Sequence, residues 1–272
     1  MRRPTRVGSV AATMLAAALA AASAGERPAF VAAIDQATKL GAQKQWDKAA
    51  DTYATFAATH ASHPFAPLAS YLEGSVLRTQ LNQAAKARAA FARAAVGNTT
   101  LGPAFRVAAR AWLARLQMEH LDAALRRYYV HKVEYPDKLT ALVERKFATP
   151  KDLLDPWGKP FAYTTGRLLI APKVPRQKYT LTCSTIKGNS RHLKRHLLKA
   201  YAAFRQRYQL RAIVPTTPPK AIVTQAGGSG KRLTVAQGAA LGSGTMLAIA
   251  PGVAVLLDGE FVVALTLGGA KR

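Results

Sequence analysis

The chain has 272 residues, of which 49% are hydrophobic, so it is long enough for two or three small domains and too apolar for a disordered protein. Its formal net charge is +25, and no acidic residue lies between Asp155 and Asp258. This charge favours anionic partners, namely lipid head groups, lipopolysaccharide, acidic polymers or nucleic acid. The single cysteine, Cys183, excludes an intrachain disulfide.

The first 24 residues have the features of an export signal. Three arginines precede an apolar run at residues 7–22, and Ala22-Ser23-Ala24 is the small-x-small site that a signal peptidase needs. We expect cleavage after Ala24 and a periplasmic or envelope-associated mature protein. The alternative is an uncleaved anchor, although the run is shorter than the ~20 residues of a membrane span. Export argues against nucleic acid as the partner.

Residues 25–102 are rich in alanine and have helical periodicity. Ala49 and Tyr53 recur at a constant separation as Ala87 and Phe91. This repetition predicts helical hairpins, in which small residues let paired helices approach and aromatic residues fill the groove. The pattern resembles tetratricopeptide repeats, with about two repeats visible. A further helix is expected over residues 103–131.

Residues 103–188 contain a sequence of turn and strand signals. Tyr135-Pro136 ends one helical pattern and begins a short helix, because proline suits a first helical turn and restricts the residue before it. Asp155-Pro156-Trp157-Gly158 predicts a tight turn, with Asp bonding the backbone ahead of it and Gly adopting a left-handed conformation. Phe161 and the alternating residues after it predict a small antiparallel sheet.

This order of elements resembles the globular part of major pseudopilins of type II secretion, the G subunit, and of related type IV pilin-like proteins. The resemblance implies a pseudopilin-like fold with Trp157 buried against the preceding helix. Two pseudopilin features have no counterpart in this sequence. The prepilin peptidase site is not found, and residues 184–189, where pseudopilins have an acidic calcium-binding loop, contain no carboxylate. We therefore expect the fold, but neither filament assembly nor calcium. The structural corner would consist of Tyr135, Pro136, Asp155, Pro156, Trp157, Gly158 and Phe161.

Residues 189–219 predict a basic helix followed by a stiff proline-rich linker that starts at Pro215. Apolar residues mark one face of the helix and basic residues cover most of the rest. Two interpretations stay open: a surface for acidic lipid or a partner protein, and a docked helix with a solvated basic face. The candidate surface consists of Arg191, Lys194, Arg195, Lys199, Arg205, Arg207 and Arg211.

Residues 220–272 change to a pattern of short strands, in which Asp258-Gly259 is a strong hairpin signal. The pattern resembles the small periplasmic β-domain of the inner-membrane C subunit of type II secretion and of the pilus lipoprotein that docks on a secretin. Gly227-Gly-Ser-Gly-Lys231 looks like a phosphate loop, but Gln225 and Arg232 replace the first glycine and the magnesium-binding hydroxyl. We expect a flexible hairpin loop there.

The sequence thus predicts a multidomain α+β protein. A signal peptide at 1–24 precedes a helical-repeat domain at 25–102 and a pseudopilin-like helix with a small antiparallel sheet at 103–188. A basic helix and linker at 189–219 then lead to a small all-β domain at 220–272. No catalytic, metal or cofactor motif is recognised, so we expect a protein that is not an enzyme.

We expect a periplasmic scaffold or assembly protein of a type II secretion or type IV pilus-like system. Its partners would be secretion or pilus assembly proteins, including a secretin. The main alternative is a module, unrelated to pili, that binds an anionic membrane surface or an envelope polymer such as lipopolysaccharide or glycan. An enzyme of unknown type is a third hypothesis.

Overall fold

The computed structural model describes residues 26–167, 169–170, 175–186, 193–226 and 230–267. The predicted signal peptide at 1–24, Arg191 and the glycines at 227–228 lie outside the described residues. The chain is of mixed α+β class, as predicted, and divides into two compact units. Unit 1 combines Met1–Ala109 with Ala200–Arg272, and unit 2 is Arg110–Lys199. The helical-repeat and β segments, which the sequence suggested as separate domains, thus belong to the same unit.

Unit 1 begins with four consecutive helices, each of which packs on the next. They are α1 (Glu26–Ala42), α2 (Trp46–Thr59), α3 (Ala66–Thr79) and α4 (Ala84–Val96). A longer helix, α5 (Gly102–Lys132), follows and contributes residues to both units. The helical periodicity of this part of the sequence thus corresponds to four helices in the described residues up to Val96.

The close approach of these helices depends on two glycines. A Cβ atom built on Gly41 would lie 2.6 Å from the ring of Trp46, and one on Gly74 would lie 3.0 Å from the ring of Phe91. Alanine at either position would therefore have to displace an aromatic ring. Small residues facing aromatic residues are the packing that the sequence predicted for paired helices. The repeated residues Ala49, Tyr53, Ala87 and Phe91 are all buried.

Unit 2 contains the rest of α5, a short helix α6 (Thr140–Glu144) and a 3-10 helix (Pro150–Leu153). The strands β1 (Ala162–Thr165) and β4 (Tyr179–Thr182) pair antiparallel, and the two-residue strands β2 (Leu169–Ile170) and β3 (Pro175–Arg176) form a second antiparallel pair. One core joins α5, the short helix and the β1–β4 pair. Its buried members include Met118, Leu121, Leu125, Leu142, Phe161, Leu181 and Cys183.

The next helix, α7 (Leu193–Arg205), is shorter than the predicted basic helix. Tyr208–Val214 forms strand β5, so the prediction of a helix up to Arg211 is wrong. The physical reason is the alternation after Arg207, where Tyr208 and Leu210 are buried and Gln209 and Arg211 are exposed. The expected proline-rich linker is also wrong, because residues 215–219 form the loop of a hairpin between β5 and β6 (Lys220–Gln225).

The remaining strands build two antiparallel sheets in unit 1. They are β7 (Arg232–Ala236), β8 (Ala240–Leu241), β9 (Gly244–Ala250), β10 (Val253–Asp258) and β11 (Phe261–Thr266). The first sheet has the order β5-β6-β7, and the second has the order β11-β10-β9-β8. Phe204 of α7 and residues of both sheets share one core that includes Leu210, Val223, Met246, Leu256 and Val263.

The N-terminal helices contact the C-terminal sheet through its edge strand β11. The hydroxyl of Tyr71 in α3 donates to the carbonyl of Glu260 at 2.5 Å and accepts from the amide of Val262 at 3.2 Å. Val31 of α1 packs against Gly252, where a Cβ atom would lie 3.2 Å from its side chain. These contacts cover backbone groups that an edge strand otherwise exposes, and they explain why the two ends of the chain form one unit.

Candidate functional site

The predicted corner in unit 2 is organised by the carboxylate of Asp155. This residue is 5% exposed. Its Oδ1 accepts the amides of Trp157 and Lys159, both at 2.9 Å, while its Oδ2 accepts the Thr185 hydroxyl at 2.6 Å and lies 3.5 Å from the sulfur of Cys183. The corner therefore connects the turn to the segment that follows β4.

Hydrogen bonding decides the ionisation of this carboxyl group. Burial alone would raise the pKa of Asp155, but the bonds from Thr185, the two amides and Cys183 outweigh burial and hold the pKa below its usual value. Burial raises the pKa of the Cys183 thiol, so the thiol is protonated and unreactive at neutral pH. The corner is thus a structural carboxylate beside a neutral thiol rather than a nucleophile with its base.

The backbone of the corner follows the predicted turn. The amide of Gly158 donates to the carbonyl of Asp155 at 2.9 Å, and the amide of Asp155 donates to the carbonyl of Lys159 at 2.7 Å. Gly158 has a φ of +81°, which confirms the left-handed residue expected there. Leu154 and Pro160 then form an antiparallel bridge, so the chain reverses at this point.

Trp157 packs against the unit 2 core and is partly buried. It does not reach full burial, because Asp155, rather than the aromatic ring, points inward at the turn. Phe161 and Pro136, by contrast, are buried, whereas Pro156 and Tyr135 are half-buried.

Tyrosines surround Tyr135 at the other end of the corner. Its ring centroid lies 4.6 Å from that of Tyr129 and 4.5 Å from that of Tyr179, and the Tyr163 hydroxyl donates to the carbonyl of Pro136 at 2.7 Å. Tyr179 donates to Asp122, whose other carboxylate oxygen lies 2.9 Å from Nε of Arg126. Burial raises the pKa of Tyr163 to about 12 and also raises the pKa of Tyr179. Tyr163 and Tyr179 are thus held in place by hydrogen bonds, and Tyr129 and Tyr135 by ring contacts.

The structure does not place the predicted basic residues on a single helix face. Lys194, Arg195, Lys199 and Arg205 lie in α7, and Arg205 lies 5.9 Å above the ring centroid of Tyr201. Arg207 follows the helix and donates to the Ser243 hydroxyl at 3.2 Å, which in turn donates to Asp258 at 2.5 Å. Arg207 is therefore close to one of the few carboxylates in this part of the chain.

Arg211 lies elsewhere, in a groove on the face of the β5-β6-β7 sheet opposite its core. The groove has a volume of about 580 Å³. A β-bulge between Leu210 and Ala212 interrupts the ladder at Arg211, and its Nε donates to the Thr224 hydroxyl at 3.0 Å. The described residues that line the groove are Gln209, Arg211, Ala212, Ile222, Thr224, Gln225, Ala226, Gly230 and Arg232.

The strand register brings a second arginine to the same groove. Thr224 pairs with Gln209 on β5 and with Arg232 on β7, so these three residues form one cross-strand row. Arg211 and Arg232 are both exposed. Within the described part of the chain, no carboxylate lies in salt-bridge distance of either guanidinium. The groove thus holds two arginines without a neutralising acid.

Sequence reasoning missed Arg232 and Thr224 as members of a site. The two strands that carry them were predicted, and an antiparallel pairing through the 227–231 loop would have set Arg232 opposite Thr224. The bulge at Arg211 has no comparable sequence signal, because Leu210-Arg211-Ala212 is compatible with regular alternation.

Comparison with models of protein families, with curated proteins and with solved structures found no match for this chain. In the described residues, no three or more histidine, cysteine or carboxylate side chains come together as metal ligands would. The described helices include none that has both the length and the apolar character needed to cross a membrane.

Proposed function

We propose that the chain is a non-catalytic scaffold or assembly protein of a type II secretion or type IV pilus-like system, exported to the periplasm. The observation that carries the proposal is the corner at Asp155. The sequence pattern that resembles pseudopilins is also the pattern that folds as one packed module, with α5, a short helix, the turn and the β1–β4 pair around a common core.

Unit 1 adds support for a binding role. Its helical hairpins and its β-sheets are joined through Tyr71 and β11, so a repeat surface and a β-surface belong to one body. Repeat helices and small β-domains commonly act by binding partners rather than by catalysis. A second module, unit 2, on the same chain fits a protein that brings other proteins together.

The export part of the proposal has its own test. N-terminal sequencing of the protein from envelope fractions should give a mature chain that begins at Gly25. An intact Met1 recovered from the cytoplasm would contradict export and, with it, every periplasmic partner.

A second function is favoured by a different observation. The paired arginines Arg211 and Arg232, on a chain with a net charge of +25, support binding of an anionic envelope lipid or polymer independently of pili. Cross-linking and pull-down from envelope fractions separates the two functions. Recovery of a secretin or pilus subunits supports the scaffold, whereas recovery of lipopolysaccharide or glycan without protein supports the second function.

A further inference from the structure

We propose that the groove between Arg211 and Arg232 binds a phosphorylated polyol, meaning a phosphate ester on a sugar or similar polyhydroxylated body. This inference rests on the second function above and names its site and its ligand class. Four properties of the groove favour this ligand: the fixed position of Arg211, the register of Arg232, the remaining polar lining and the lack of acidic residues among the described residues that line it.

Arg211 is held ready for an anion. Its Nε bond to Thr224 uses one of the five guanidinium N–H groups and fixes the side chain over the sheet. The two terminal nitrogens make no hydrogen bond to other described residues and can bind a phosphate in the two-pronged geometry that guanidinium favours. Because Thr224 is only 9% exposed, the bond that orients Arg211 is protected from water.

Arg232 reaches the same position from the neighbouring strand. Thr224 and Arg232 are directly paired across β6 and β7, and cross-strand partners have side chains on the same face of the sheet. A phosphate above Thr224 would therefore lie between two guanidiniums. Without a ligand, two adjacent cations repel each other, so a bound dianion would remove an unfavourable interaction as well as form favourable ones.

The rest of the lining suits an uncharged polar body. Gln209 and Gln225 supply amide donors and acceptors, as the hydroxyl groups of a polyol require. Ile222 and Ala212 supply an apolar surface for carbon atoms. A volume of about 580 Å³ lies within the roughly 300–1,000 Å³ of small-molecule sites, so the groove has room for more than the phosphate alone.

The positive charge of the groove argues against a cationic ligand. None of the described residues that line the groove is acidic, and the sequence has no acidic residue from 156 to 257. A cationic or metal ligand would therefore meet repulsion without compensation. A neutral sugar would leave both guanidiniums without an anionic partner.

The test is a binding titration of the full chain with glucose 6-phosphate, with glucose and inorganic phosphate as comparison ligands. Arg211→Gln and Arg232→Gln should each weaken glucose 6-phosphate binding by at least about tenfold, as expected for loss of a charge-assisted contact. Arg232→Lys should also weaken it, because lysine keeps the charge but loses the planar fork.

Lys220→Gln is the matched control, since Lys220 is an exposed cation at the other end of β6 and does not line the groove. It removes the same charge and should leave the affinity unchanged. Circular dichroism of each variant confirms folding before affinities are compared.

Several results would overturn the proposal: no binding of glucose 6-phosphate, equal binding of glucose, equal binding of inorganic phosphate, or an equal loss in Lys220→Gln. Polyanion binding that survives both arginine substitutions would keep the second function and overturn the groove as its site. Vesicles of phosphatidylglycerol, compared with phosphatidylcholine, distinguish the two sources of the phosphate ester. If glucose 6-phosphate displaces the protein from phosphatidylglycerol vesicles, the groove binds lipid head groups. If glucose 6-phosphate binds the protein but does not displace it from these vesicles, the groove binds a soluble sugar phosphate.

Discussion

Removing the carboxylate of Asp155 should destabilise unit 2 more than removing the carboxylate of any exposed acidic residue in the same unit. In Asp155→Ala, the amides of Trp157 and Lys159 and the Thr185 hydroxyl lose their common acceptor. A buried donor left without a partner costs about 1–3 kcal/mol. Lys159 is exposed and Trp157 half-buried, so water replaces part of the loss. We expect a total cost of about 2–3 kcal/mol, and about 1 kcal/mol less for Asp155→Asn, which keeps one acceptor oxygen.

The pH dependence gives a second signature. The pKa of Asp155 is lower in the folded chain than its ordinary value of about 3.9. A depressed carboxyl pKa contributes stability above the unfolded-state pKa and loses it as the pH falls through the folded-state value. The wild type should therefore lose stability below about pH 4, and the gap between wild type and Asp155→Ala should shrink there.

The assay must report on unit 2, because a chain with two compact units need not unfold in a single transition. Hydrogen exchange of peptides from Arg110–Lys199, combined with urea denaturation followed by tryptophan fluorescence, provides that report. Asp137→Ala is the matched control, since Asp137 is an exposed carboxylate of the same unit. Equal effects of the two substitutions, at neutral and at acidic pH, would refute the reasoning.

Three further substitutions and one change of pH test other contacts. Trp157→Ala should cost about 2 kcal/mol rather than the roughly 3–5 kcal/mol of a fully buried aromatic, as measured by urea denaturation; a cost in the higher range would contradict its half-buried position. Gly158→Val should cost about 1–3 kcal/mol because φ is +81°, and Gly158→Asn should be milder; equal effects in thermal melts would contradict a conformational cause. Tyr71→Phe should speed hydrogen exchange at the Val262 amide and destabilise unit 1 by about 1 kcal/mol, since the Tyr71 hydroxyl accepts a hydrogen bond from that amide. Unchanged exchange at Val262 would contradict this contact between helix and sheet. Above about pH 10 the chain should lose stability, because the folded state raises the pKa of Tyr53 and of Tyr163 to about 12 and so favours their neutral forms. A melting temperature that does not change from pH 8 to 12 would contradict this.

Local signals in the sequence predicted much of the fold. The turn at Asp155–Gly158 and five of the strands from Lys220 onward were predicted, because turn residues and period-two alternation act over a few residues; the short strand Ala240–Leu241 was not. The end of α7 was not, since Tyr208 fits both the helical stripe through Phe204 and the alternation with Leu210. Burial in the β-core favours the strand.

Long-range contacts were beyond the sequence patterns. Tyr71 and Glu260 are 189 residues apart, and nothing in either segment indicates the other. The groove also depends on contacts between distant parts of the sequence. The cross-strand row of Gln209, Thr224 and Arg232 depends on strand register, and the position of Arg211 depends on a bulge. The pattern around Asp155 predicted its bonds to the backbone ahead, but not its bond to Thr185, which depends on the path of the chain after β4.

The proposal of a secretion or pilus scaffold is tested most directly by site-specific photo-cross-linking in cells. A photoreactive amino acid at Val130, which is 77% exposed in unit 2, reports on partners of unit 2, and one at the exposed Lys44 in unit 1 is the matched position. We predict that irradiation joins the Val130 variant to a pilin-like subunit or a secretin, identified by mass spectrometry. Adducts that contain no secretion or pilus component, from a variant that is folded and present in the envelope, would contradict the proposal.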